Sequence, residues 1–213
     1  MIHIVIAIDP TTSFLVEIIN FLTNENIELG IIKIEPNNES YIRARKLICE
    51  IPTGSLILFL GHGQENQLYG GESEEFQKQP FIKDKEMQIF KDQFLFALAC
   101  NSADLLKRSF RFSGIEKSIG FGALPTEKKE VEDDKRLKTY ITEENIESFK
   151  SCIVEITSLT FLEIHNQNKT DFNWVKDHIS LLINKKINDS ILNNQDRGLA
   201  DLLYNMKSDI KIF

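Results

Sequence analysis

Cysteine is scarce in this chain: of 213 residues only Cys49, Cys100 and Cys152 carry a thiol. An odd, sparse set with no Cys-x-x-Cys pair argues against a disulfide framework. The histidines are few as well. His3, His62, His165 and His178 show no His-x-x-x-His spacing, so a zinc site is not expected, and the thiol chemistry read below requires no metal or organic cofactor. No dense Lys/Arg cluster is present and the net charge is −7, so the electrostatic footprint of a nucleic-acid binder is missing. Long hydrophobic runs are absent too, and nothing approaches the roughly 18 apolar residues that mark a membrane span. The N-terminal run at residues 1–8 lacks the basic region and small-residue cleavage site of a secretory signal. The expectation is a cytoplasmic protein with neither a membrane nor a nucleic acid as partner.

Enough apolar residues are present for one sizeable core. The chain is 42% hydrophobic and 27% charged, the composition of an ordinary globular protein. Its first half alternates between two periods. Residues 2–8 and 28–34 read as strands, and two strongly apolar runs, 55–60 and 94–99, read as central ones. Residues 118–124 read as a fifth strand, stopped by Pro125. Helical spacing fills the gaps: Phe14, Leu15, Ile18, Ile19 and Leu22 in one helix, then Tyr41, Ala44, Leu47 and Ile48 in the next. A further helix is expected at about 101–110. Strands alternating with helices predict a mostly parallel sheet covered on both faces, an α/β three-layer architecture.

After a mixed-charge stretch at 126–138 the character changes. Three amphipathic stripes follow, carried by Ile146 to Leu159, Phe172 to Ile183 and Leu199 to Met206. An α/β core over residues 1–140, with a helical part over 141–213 packed on it, is the expected organisation. The connection at 64–93 is long for a compact domain, and such connections are often functional.

Ligands of an open parallel sheet bind where the strands deliver their C-terminal ends. Two such ends carry chemistry here. The 55–60 run leads into Gly61-His62-Gly63, and the 94–99 run leads into Cys100-Asn101-Ser102. A thiol needs a base to become a thiolate near neutral pH, and imidazole suits the task. Neighbouring parallel strands lie about 4.8 Å apart, so side chains just past two adjacent tips meet in one open groove. No bulky side chain shields the Gly63 N–H, which can join the Cys100 N–H in holding an oxyanion. Cys49 and Cys152 lie on apolar helix faces and read as core; His165 and His178 read as surface or packing residues.

Leu60-Gly61-His62-Gly63 resembles the His-Gly element of caspases, metacaspases and separases. Leu98-Ala99-Cys100-Asn101-Ser102-Ala103 is similar to the Ala-Cys-x-Ser/Thr-Ala element of the CHAT group, a bacterial branch of the caspase-like peptidases. The resemblance covers about residues 2–124. It implies a caspase-like fold with extra C-terminal helices and a cysteine endopeptidase. Within it, His62 is the base, Cys100 the nucleophile, and the N–H groups of Gly63 and Cys100 the oxyanion hole. It also implies a protein or peptide substrate, a separate activator protein, and a setting in bacterial defence or signalling. Cys100 is not followed by the Arg-Gly or Gln-Gly of true caspases, so cleavage after aspartate does not follow. The resemblance sets a residue lining the P1 pocket near Asp9, where a carboxylate would pair with a basic side chain. Asp9 equally suits the cap of the first helix.

Two rival readings follow from the same residues. One is a catalytically silent caspase-like module that binds a partner through its C-terminal helices. The other is a flavodoxin-like or receiver-like domain with Asp9 in a cation or phosphoacceptor site. That reading needs several carboxylates at the strand tips, where the sequence has His and Cys.

Overall fold

The computed structural model describes residues 1–133, 140–168 and 170–213. In chain order, β1 (Ile2–Ala7) passes through a 3-10 turn at Ser13–Leu15 into α1 (Val16–Asn24), and β2 (Leu29–Ile34) leads into α2 (Asn38–Cys49). Next, β3 (Leu56–Leu60) gives way to three short strands, β4 (Gly63–Gln64), β5 (Gln67–Tyr69) and β6 (Pro80–Lys83). A 3-10 helix at Asp84–Phe90 precedes β7 (Phe94–Leu98), α3 (Ser102–Ser113) and β8 (Lys117–Gly120). The rest is α4 (Lys128–Asp133), α5 (Glu143–Gln167), α6 (Phe172–Leu192), α7 (Arg197–Asp209) and β9 (Lys211–Ile212).

Strands apolar on both faces belong at the centre of a covered sheet. β1, β3 and β7 are buried almost throughout, and they occupy the middle of the six-stranded order β2-β1-β3-β7-β8-β9. The first five of these strands pair in parallel, and β9 closes one edge antiparallel to β8. β2, at the other edge, alternates instead: Ile32 and Ile34 are buried while Ile31 and Lys33 face out.

Period-two alternation divides the strand side chains between two layers. Ile4, Ile6, Leu58, Leu60 and Phe96 face a cluster built with α1, α5, α6 and α7. Val5, Ile57, Phe59, Leu95 and Ala97 face the other cluster, with α2, α3, β5, β6 and the 3-10 helix at Asp84–Phe90. The expected three-layer α/β architecture with a mostly parallel sheet is therefore present. The stripes of α5, α6 and α7 all pack on the sheet. Side-chain caps begin α2 (Asn37), α5 (Thr142), α6 (Asp171) and α7 (Asp196).

Three details depart from the sequence reading. The fifth strand ends at Gly120, not at residue 124. Ser102 Oγ accepts the Phe121 N–H (2.9 Å), and the Phe121 and Gly122 carbonyls accept the Ala103 and Asn101 N–H groups (2.9 and 2.8 Å). The start of α3 thus takes the backbone groups that a longer strand would have used. The long connection at 64–93 holds a second, antiparallel sheet, β4-β5-β6. The C-terminal part is not purely helical, because Lys211–Ile212 returns to the main sheet.

Candidate active site

Register brings the two candidate side chains together. Leu60 of β3 pairs with Leu98 of β7, so His62 and Cys100 each lie two residues beyond the same rung. Ile6 of β1 pairs with Leu60 on the other side, which puts Asp9 just past the neighbouring tip. Directly after Cys100 the chain turns from strand to helix at Asn101, whose φ of 54° lies in the left-handed region that Asn tolerates better than most residues. At Gly63 a Cβ would stand 2.6 Å from the Cys100 carbonyl oxygen and 3.0 Å from Ala99 Cβ. The Gly63 backbone therefore packs directly on that of Cys100, and only glycine permits this approach.

His62 is 8% exposed, and its orientation is set from the β1 side. Its Nε2 lies 2.7 Å from Thr11 Oγ1 and 3.4 Å from Asp9 Oδ1. Thr11 Oγ1 gives its single proton to Asp9 Oδ1 at 2.7 Å, so its lone pair must accept from the imidazole. The network therefore assigns the proton to Nε2 and leaves Nδ1 as the basic nitrogen, without a hydrogen-bond partner among the described residues.

Asp9 is spent inside the protein. Its side chain is fully buried, Oδ1 accepts the Thr11 and Thr12 N–H groups at 2.9 and 3.0 Å, and Oδ2 accepts Thr12 Oγ1 at 2.5 Å. Burial pushes its carboxyl up, but hydrogen bonds from His62, Thr12 and Thr11 outweigh this and hold it well below the usual range. No face of the carboxylate is left for a basic P1 side chain. Asp9 is instead the cap of the turn before α1 and the group that orients His62.

Cys100 meets a different partner. Its thiol donates to the Leu124 carbonyl at 3.2 Å, and the Leu124 N–H approaches the sulfur at 3.4 Å. Burial pushes the thiol up to about 12; the Glu130 carboxylate adds to this, while the Leu124 N–H and Lys78 oppose it. Burial and the Glu130 charge thus disfavour the thiolate, although Cys100 as a residue is half-buried and not sealed. Glu130 Oε2 holds the covering turn by accepting Thr126 N–H (2.7 Å), Thr126 Oγ1 (3.1 Å) and Glu127 N–H (3.2 Å).

His62 and Cys100 line one cavity together with Phe14, Leu124, Thr126 and Ile153. Its volume is about 20 Å³, room for roughly one water. The groove expected to be open is narrowed here to that small cavity, with Cys100 half-buried, because residues 121–126 leave the sheet and bring Leu124 onto the sulfur.

The chain matches no family model and no curated protein.

The remaining candidates sort by position. Cys49 was expected in the core, yet it is exposed as the last residue of α2, where the packed stripe has ended. Cys152 is buried in α5, His165 is exposed, and His178 stacks on Trp174 with centroids 5.1 Å apart. Of the charged stretch, residues 128–133 form α4, with Val131 buried; 134–138 lie outside the described residues. Among the described residues no three His, Cys, Asp or Glu side chains converge to hold a metal ion, and no helix is long and apolar enough to cross a membrane. Thr11, Leu124 and Glu130 escaped the sequence reading. The Asp9-Pro10-Thr11-Thr12 string was the available signal for Thr11; Leu124 and Glu130 had none.

Proposed function

We propose that this chain is a cysteine endopeptidase of caspase-like architecture that cleaves a protein partner, with Cys100 as nucleophile and His62 as base. One observation carries the reading: a thiol and an imidazole stand two residues past one rung of adjacent parallel strands, and Asp9 and Thr11 hold Nε2 so that Nδ1 is the acceptor. Nucleophilic catalysis requires a nucleophile within reach of a base that a third group orients; the oriented base is here, and the sulfur, now bonded to Leu124, has to turn to Nδ1.

Once the Leu124 turn withdraws, Nδ1 takes the Sγ proton and the thiolate attacks the scissile carbonyl. The N–H groups of Gly63 and Cys100 hold the oxyanion of the tetrahedral intermediate. His62 then gives its Nδ1 proton to the leaving amine, and the acyl-enzyme forms. Water, deprotonated by the same nitrogen, releases the acid and restores the thiol. Asp9 stabilises the imidazolium in both halves. In this reading a separate activator protein exposes the sulfur.

The test is cleavage of an unfolded protein pool by the Leu124→Gly chain, whose covering turn is loosened, read by mass spectrometry, with Cys100→Ala and His62→Ala added in turn as controls. New termini lost in both variants support the reading; termini that persist in Cys100→Ala overturn it. A second reading, a catalytically silent module of the same fold, is favoured by the thiol held up to about 12 and by the one-water cavity. It predicts an inert Cys100 even when Leu124→Gly loosens the turn.

A further inference from the structure

A second cavity, of about 560 Å³, lies between α1 and α5, in the size range of small-ligand and side-chain pockets. Its apolar lining comes from Phe14, Phe21, Val154 and Leu159. Ser158 also lines it, and this serine behaves unlike its neighbours. Ser151 and Thr160 bond back to the carbonyls four residues earlier, at 3.1 and 2.7 Å, as helical hydroxyls do. Ser158 does not. It is 1% exposed, and among the described residues its Oγ is the one buried side-chain nitrogen or oxygen with no hydrogen-bond partner. Buried polar groups are nearly always paired, so this hydroxyl, sealed beneath the groove wall and not open to the cavity, is an unmet polar group beside the slot.

The rim adds charge. Glu17 stands on the α1 side, and Glu147, Lys150 and Glu155 on the α5 side. Lys150 is held by Glu147 at 2.7 Å and lies over the Phe14 ring, while Glu155 is held by Lys186 at 2.5 Å. Glu17 has no ion pair among the described residues and accepts only the Asn20 amide, at 3.3 Å. One exposed carboxylate therefore remains beside an apolar slot. The slot also adjoins the chemistry: Phe14 lines both cavities, and Ile153, next to Val154, lines the one holding His62 and Cys100.

We infer that the α1–α5 groove is a substrate-recognition subsite. It takes a large apolar side chain of a protein substrate with a Lys or Arg beside it. Its role as a subsite rests on the peptidase reading; its capacity to bind such a peptide does not. The apolar side chain displaces water from Phe14, Phe21, Val154 and Leu159, and the basic residue pairs with Glu17.

The test uses the full chain with Cys100→Ala and a short fluorescein-labelled peptide holding one Leu-Arg pair, beside Ser-Arg and Leu-Glu versions. Fluorescence anisotropy should show the Leu-Arg peptide bound about tenfold or more tighter than either control. Val154→Trp, which fills the slot, should abolish the difference. Glu17→Lys, at an exposed position, should turn the preference to the Leu-Glu peptide, and it keeps the test alive if Val154→Trp fails to fold. Ser158→Ala should keep or raise the melting temperature of the free protein, since it removes an unpaired hydroxyl, and leave the peptide preference in place. Equal affinity for all three peptides overturns the inference, as does an unchanged preference in Glu17→Lys. If Cys100-dependent cleavage occurs without this preference, the groove proposal falls and the peptidase stands. If the preference occurs without such cleavage, the subsite role falls together with the peptidase.

Discussion

Alkylation of Cys100 should be slow in the unaltered protein, and loss of one carboxylate should speed it. The thiolate is the reactive form. With its thiol pushed up to about 12, Cys100 holds a thiolate fraction near neutral pH about 3,000-fold below that of a free cysteine at about 8.5. A more basic thiolate is intrinsically more nucleophilic, which returns roughly 25- to 55-fold. Iodoacetamide should therefore label Cys100 roughly 50- to 130-fold more slowly than an open cysteine, before any steric shielding. Exposed Cys49 supplies that reference in the same tube, and buried Cys152 reports on unfolding. The perturbation is Glu130→Ala. It removes the acceptor of three hydrogen bonds that hold the 126–130 turn and a charge that disfavours the thiolate. Even one charge-assisted bond lost, about 1.5 kcal/mol, raises the open population about tenfold. Mass spectrometry of tryptic peptides gives the three rates. A Cys100 rate equal to that of Cys49 in the unaltered protein would refute the reasoning. So would an unchanged Cys100 rate in Glu130→Ala while Cys152 stays protected.

Three further outcomes test the His62 side. Asp9 has a carboxyl depressed by folding, so its stabilisation is whole above the unfolded value of about 3.9 and is lost as pH falls below it toward the folded value. Asp9→Asn should flatten the acid limb of stability measured by urea unfolding across that range; identical limbs in both proteins would count against the network. Thr11→Val, which strips the hydroxyl between His62 and Asp9, should cost about 1–3 kcal/mol in the same assay, and Thr11→Ser should restore most of it. Gly63→Ala drives a Cβ to 2.6 Å from a carbonyl oxygen, so a loss of about 1–3 kcal/mol is expected, and an unchanged melting temperature would show that the Gly63–Cys100 packing is looser than described.

Much of the frame was legible because it rests on local pattern. β1, β3 and β7 are apolar on both faces, and only the middle of a covered sheet accepts that. The pairing of His62 with Cys100 at one end followed from strand order alone, since both residues sit just past an apolar run. What was not legible depends on distant partners. Thr11 meets His62 across 51 positions, through a turn whose shape Asp9 sets. The apolar stretch beyond Gly120 looks like more strand, and nothing nearby shows that Ser102 will take the Phe121 N–H. The same departure brings Leu124 over the sulfur, which narrowed a groove that strand spacing alone left open. Lys211–Ile212 is too short to carry any periodicity.

Because the chain leaves the ladder at Gly120, the groups that would react and the backbone that shields them belong to different stability classes. His62 and Cys100 are anchored by the innermost strands, whose amides open only with the whole molecule. Leu124 packs its side chain into the core but makes no ladder hydrogen bonds, and segments outside the ladder open at smaller free energies. Native-state hydrogen exchange should divide the molecule along this seam, with slow protons under the tips and fast ones above them. A protein so divided bares its sulfur by moving one segment, without unfolding the strands beneath it.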